Sequence, residues 1–177
     1  MAVLETPLPD YARAYDEWLA RKGADLAAAR WSRAFAGYPY AVNRTAPLAR
    51  LSTPLEEARI GLVSTGGVHL AAEAPFDALR PEGDWSLREI PIDAQPSGLR
   101  ISHRSYDTAW ADKDMNVVLP LDRMNEFAEE GETGPFVAAV SLMGSITKVH
   151  ALVEETLPAV VAALKRAGAD AALLVPL

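Results

Sequence analysis

The chain has 177 residues, half of them hydrophobic, and carries 24 acids against 17 lysines and arginines, a net charge of -7. That length supports one domain with a real core, while scattered cations on an acidic chain exclude the clustered basic face that a phosphate backbone requires. The sequence contains no cysteine, which removes disulfides, thiolate metal sites and any cysteine nucleophile within these residues.

No apolar run reaches the ~20 residues of a membrane helix, and Asp10, Asp16 and Glu17 fall where a signal peptide would be basic and then apolar. A cytoplasmic protein is expected, with neither nucleic acid nor membrane among its partners. Tyr11, Tyr15, Trp18 and Leu19 recur at helical spacing, Gly23 interrupts, and Leu26, Trp31 and Phe35 carry the pattern to Gly37. Two amphipathic helices are predicted there. Tyr38-Pro39-Tyr40, Pro47 and Ser52-Thr53-Pro54 then form a loop-rich connection whose aromatics read as core cover or subunit contact. Residues 1–58 are therefore expected as a helical segment packed on an α/β domain at 59–177.

Arg59 to Val63 (RIGLV) has the pattern of a buried strand, and Ser64-Thr65-Gly66-Gly67-Val68-His69 that of a tight glycine turn after it. Small residues at such a turn let backbone N–H groups approach a polar ligand, although the GK[ST] ending of a phosphate loop is missing. Leu87 to Ile92 alternates as a strand exposed on part of one face, and Pro91 places it at an edge.

The polar residues concentrate between Ile101 and Leu121, ISHRSYDTAWADKDMNVVLPL. Asn116 to Leu119 reads as a short strand, followed by a helix from Leu121 to Glu130 with Asp122 as N-cap and Gly131 as stop. Asp112 and Asp114 read as loop acids or caps, Trp85 and Trp110 as packing residues, and Arg88 and Arg104 as surface cations able to pair a carboxylate.

Phe136 to Leu142 (FVAAVSL) is the clearest core strand. A long helix follows, with Val149, Leu152, Val153, Leu157, Val160, Val161 and Leu164 on one face, a kink or division at Pro158 and a stop at Gly168. His150 lies on it as a surface or interface residue. Ala171 to Val175 (AALLV) is predicted as a final buried strand, most simply joined through a right-handed parallel crossover. The expected fold is a three-layer, Rossmann-like α/β domain with a mostly parallel sheet, whose ligands bind at the carboxyl ends of the strands.

STGGVH (Ser64 to His69), GDWSLREIP (Gly83 to Pro91), ISHRSYD (Ile101 to Asp107), DMNVVLPLDRMNEFAEEGETG (Asp114 to Gly134) and SLMG (Ser141 to Gly144) occur in this order. Together they resemble the selenoprotein B subunits of glycine, sarcosine and betaine reductases and the related D-proline reductase subunit. The resemblance implies an oligomeric reductase subunit acting on an amino acid or betaine-like substrate by reductive C–N cleavage. It further implies that a selenol or thiol attacks the activated substrate and that thiols supply the electrons. In such relatives the strand corresponding to AALLVP runs into a selenocysteine- or cysteine-bearing loop, whereas Leu177 is the last residue here. The expectation is a UGA codon beyond Leu177 or a separate Cys- or selenocysteine-bearing partner. The alternative is a catalytically silent small-molecule-binding or assembly module of the same fold.

Within the matched part, His69 and His103 are the candidate proton-exchanging residues, each at or just after the end of a predicted strand. Asp107 is a candidate for fixing a histidine tautomer, Tyr106 for donating a hydrogen bond, and Asn116 for binding a carboxylate or amide. Ser64, Thr65, Gly66 and Gly67 would complete the substrate-binding set. His103 and Asp107, with His69 as third ligand, could form a metal site, but two or three N and O ligands without a known geometry are a thin signal and no metal is assigned; an enzyme using these three without a thiol, with or without a metal, is a third reading.

Overall fold

The computed structural model describes residues 4–42, 49–104 and 106–177; Pro47 of the expected connection and Ser105 of ISHRSYD lie outside them. Strand β1 (Leu4–Pro7) leads into helix α1 (Leu8–Ala27), a short helix α2 (Trp31–Ala34) and strand β2 (Pro39–Val42). β1 and β2 pair in parallel, so the N-terminal segment is not purely helical. Helix α1 runs through Gly23 without interruption. A glycine inside a helix costs roughly 0.5–1 kcal/mol against alanine, and the burial of Tyr11, Tyr15, Trp18 and Leu26 on one face offsets it.

That face packs into an aromatic cluster with Ala34 and Tyr38. The phenol oxygens of Tyr11 and Tyr38 lie 2.5 Å apart and both reach the carbonyl oxygen of Thr147, at 2.6 and 2.7 Å. Burial, above all, raises the pKa of both phenols, which keeps them protonated. The indole of Trp18 donates to the carbonyl of Ala34 at 2.9 Å, tying α1 to α2. His150, expected at the surface or at an interface, packs within the chain against Tyr11 and Tyr15 of α1, with its Nδ1 buried. Helical periodicity placed it on the helix but could not show that α1 covers that face.

The rest of the chain forms β3 (Ile60–Ser64), β4 (Val68–Leu70), β5 (Leu87–Ile90), β6 (Leu99–Ile101), helix α3 (Leu121–Glu129) and β7 (Phe136–Leu142). Helix α4 (Val149–Ala151) passes through a π-turn at Leu152–Thr156 into α5 (Leu157–Arg166), and β8 (Ala171–Val175) follows. The main sheet has the order β5-β7-β3-β8. β7 and β8 both run parallel to β3, as a strand-helix-strand connection requires, while β5 is antiparallel to β7. The fold is α/β around a mixed sheet.

β3 is buried at all five positions. Ile60 and Leu62 share a core with Leu121 and Met124 of α3, whereas Val63 joins Val160 and Ala163 of α5. The helical segment is divided at the π-turn, which ends two residues before Pro158, because proline supplies no N–H to continue the ladder.

Three local expectations are corrected. Residues 116–119 form no strand: Met115–Val117 is a 3-10 turn capped by the Asp114 carboxylate, a side-chain bond that competes with extended backbone. Helix α3 starts at Leu121 after Pro120, so Asp122 lies in its first turn rather than at its cap. β8 is not buried. It is an edge strand, with Leu173 44% and Leu174 66% exposed.

The two sheet edges differ. β5 carries Arg88 and Glu89 and ends before Pro91, and Glu89 pairs with Arg166 of α5 at 2.6 Å. Such residues discourage strand addition. β8 has no charge and no proline along its length.

The tyrosine cluster sets one stability test. Tyr11→Phe and Tyr38→Phe should each cost about 1 kcal/mol in urea unfolding. The double variant should show coupling of roughly 0.5 kcal/mol or more in a double-mutant cycle, because the two hydroxyls share one carbonyl acceptor.

Candidate functional site

Three parallel strands deliver their carboxyl ends to one side of the sheet. Leaving β3, the Thr65 N–H donates to the carbonyl of Val175 at the end of β8 at 3.1 Å, and the Gly67 N–H to that of Leu142 at the end of β7 at 2.8 Å. Ser64 is fully buried; its Oγ donates to the carbonyl of Val118 at 2.5 Å and accepts from the Gly66 N–H at 3.0 Å. Thr65 Oγ1 accepts from the Leu177 N–H at 2.8 Å.

The loop tolerates no added bulk. A Cβ on Gly67, whose φ is +69°, would lie 2.2 Å from the carbonyl oxygen of Ser102. A Cβ on Gly144, with φ +70°, would lie 2.8 Å from the carbonyl oxygen of Thr65 and 3.0 Å from Nε2 of His103. The turns after β3, β6 and β7 are thereby packed backbone to backbone.

β4 and β6 form a two-stranded antiparallel ribbon, with His69 opposite Arg100. His69 is 5% exposed; its Nδ1 lies 2.9 Å from the carbonyl of Leu70 and its Nε2 3.0 Å from Oγ of Ser102. A nitrogen facing a carbonyl carries the proton, so in the neutral ring Nε2 accepts from the Ser102 hydroxyl. His69 therefore props the turn that presents His103.

His103 is half-buried at the end of this turn, its ring edge-on to Tyr106 with centroids 5.9 Å apart. Burial, and secondarily the adjacent Arg104 guanidinium, lower its pKa below the ordinary value. At neutral pH the ring is uncharged and able to accept a proton.

Other sequence candidates lie apart from this contact. Asp107 is exposed and accepts from the Ala109 N–H at 3.0 Å. The Asn116 side-chain amide donates to the carboxylates of Asp114 and Asp122, both at 2.9 Å, and its oxygen accepts from the Asp122 N–H at 3.0 Å. Hydrogen bonding from Asn116 lowers the pKa of Asp114. Trp110, expected to pack, is 68% exposed beneath Lys113, whereas Trp85 donates to Glu155 at 2.9 Å. Among the described residues, no group of three or more His, Asp or Glu side chains is placed to hold a metal ion.

Beside His103 the structure adds a feature that the sequence did not reveal. Trp31, Phe35 and Tyr38, with Arg104, Ile146 and Thr147, enclose a largely apolar cavity of about 360 Å³. Its walls come from segments far apart in sequence, and only the candidate carboxylate-pairing role of Arg104 pointed toward it.

The glycine/sarcosine/betaine reductase selenoprotein B family model matches residues 33–176. The chain belongs to that family. It is also similar to the D-proline reductase subunit gamma of Acetoanaerobium sticklandii, 35% identical over 125 residues that cover 68% of this chain and 49% of the relative. The chain thus spans about half the length of that curated relative. No solved structure matches it. The family match takes in Tyr38, the glycine turn, His103, Arg104 and the loop after β7. No helix among the described residues is long and apolar enough to cross a membrane.

Two outcomes test this geometry. The Cε1–H resonance of His103 should titrate with a midpoint below the ordinary ~6.5 of histidine, and Arg104→Gln should raise it. Because the folded pKa is depressed, the unfolded chain binds more protons in the window below ~6.5. The His103 contribution to stability is therefore complete above that pH and lost as pH falls through the folded pKa. Gly144→Ala should destabilise the fold by about 1–3 kcal/mol, since the new methyl meets the Thr65 carbonyl.

Proposed function

We propose that the chain is a substrate-handling subunit of a selenoprotein B-type reductase, acting on an amino acid or betaine-like compound. The observation that carries this reading is the packing of the Thr65–Gly67, Ser102–His103 and Gly144 turns at the carboxyl ends of the parallel strands, in a member of a reductase family. In open α/β sheets that end is where ligands bind. We infer a three-layer, Rossmann-like arrangement from the opposite placement of the α3 and α5 cores on β3, and a cytoplasmic, oligomeric protein from its relation to a reductase subunit.

His103, uncharged at neutral pH, is the proton acceptor or donor at the substrate, His69 its support through Ser102, and Tyr106 a neighbouring hydrogen-bond donor. Ser64, Thr65, Gly66 and Gly67 shape the turn against which the substrate lies. Asp107 and Asn116 stay outside this arrangement and brace their own loops, through Ala109 and Asp122. No cysteine occurs in the 177 residues, so the attacking thiol or selenol comes from outside them. That group supplies the nucleophile, and thiols supply the electrons of C–N cleavage. The same absence favours the second reading, a silent binding or assembly module.

The deciding assay is dithiol-dependent amine release by the native complex, with glycine, sarcosine, betaine and D-proline as substrates. His103→Gln should lower kcat/KM by roughly 10²–10⁴ with ligand affinity retained. Full activity in His103→Gln would remove His103 from the chemistry; ligand binding without turnover in the wild-type complex would establish the silent module.

A further inference from the structure

The cavity beside His103 carries chemistry of its own. Its floor and sides are aromatic and aliphatic, formed by Trp31, Phe35, Tyr38 and Ile146, and its one charged wall is Arg104. The Arg104 guanidinium lies 5.1 Å from the centroid of the Trp31 ring. Its N–H groups donate to the carbonyl oxygens of Arg80 at 2.9 Å, Pro81 at 3.1 Å and Ser145 at 3.5 Å.

Those three bonds fix the fork in place but bring it no negative charge. Among the described residues, no carboxylate forms an ion pair with Arg104; the nearby Glu82 is taken by Arg80, at 3.7 Å. The three contacts are all to uncharged carbonyl oxygens, so among the described residues the positive charge that Arg104 brings to the cavity wall has no acidic partner.

We propose that this cavity binds a small monocarboxylate with a bulky apolar body, the carboxylate on Arg104 and the body against Trp31, Phe35 and Ile146. Each part excludes an alternative. A simple cation would be repelled by Arg104, and a neutral apolar molecule would leave the guanidinium without a counter-charge. A molecule the size of glycine would leave most of the 360 Å³ unfilled. Water has little to hold it there, because an ordered water needs two or more polar partners and the walls are mainly apolar. The assignment goes beyond the reductase reading, because it follows from the cavity walls and is tested on the chain alone, without thiol or turnover.

The experiment compares 3-phenylpropanoate, 3-phenylpropanamide and glycine as ligands of the purified chain, by titration calorimetry and by the indole resonances of Trp31. The acid should bind saturably and at least about tenfold more tightly than its amide, glycine should show no binding at the same concentrations, and the Trp31 resonance should move. Arg104→Gln should abolish the difference between acid and amide. Should that variant fail to fold, Ile146→Trp, which fills the cavity with Arg104 in place, should eliminate binding in a chain checked by circular dichroism. Equal affinity for acid and amide in the wild type, a Trp31 resonance that does not respond, or unchanged binding in folded Ile146→Trp would each overturn the proposal.

Discussion

Everything at the candidate site depends on the position of β3 between two parallel neighbours. β7 lies along one edge and β8 along the other, and all five β3 residues are buried. Both rows of its backbone hydrogen-bonding groups are therefore committed within the sheet. Past Ser64 the chain must turn within a space already bounded by the ends of both neighbours, and glycines with no side chain make that turn possible. Gly67 and Gly144 bring the turns after β3, β6 and β7 against one another. His103 stands at this junction because the sheet topology leaves that end of the strands crowded with backbone.

The two histidines illustrate how similar sequence signals separate in three dimensions. His69 spends both ring nitrogens on neighbours in the β4–β6 ribbon, so its contribution is geometric. His103 stands at the outer end of the same turn, where burial and Arg104 favour its neutral form. The ribbon thus supports one imidazole by means of another. The Tyr11, Tyr38 and Thr147 contact plays a comparable part at the neighbouring cavity, fastening the N-terminal segment to the loop after β7, where Trp31 and Phe35 join Arg104 in the wall.

The sequence was most legible where one physical signal acted alone. FVAAVSL matches β7 residue for residue because a continuous apolar run is bounded by Pro135 and Gly144, and RIGLV is displaced from β3 by a single residue. Pro91 marked an edge strand correctly, and Pro158 a divided helix. The failures share a cause: contacts between distant segments overrode local pattern. Residues 4–7 and 39–42 pair across a whole helical hairpin, and AALLV looks buried by composition although its outer edge has no partner in this sheet. Asn116 and Asp114 use side chains to satisfy the backbone, which turns an apparent strand into a 3-10 turn. The cavity was least visible, since no stretch of sequence contains more than part of its wall.

The contrast between the two sheet edges has a consequence for the molecule in solution. β5 is guarded by charge and proline, but β8 presents an unbroken row of peptide groups beside exposed leucines. Such an edge is a template on which another extended segment can crystallise into the sheet, whether it belongs to a proper assembly or to a misfolded neighbour. A lysine in place of Leu174 would set a charge against such pairing, as Arg88 and Glu89 do on β5.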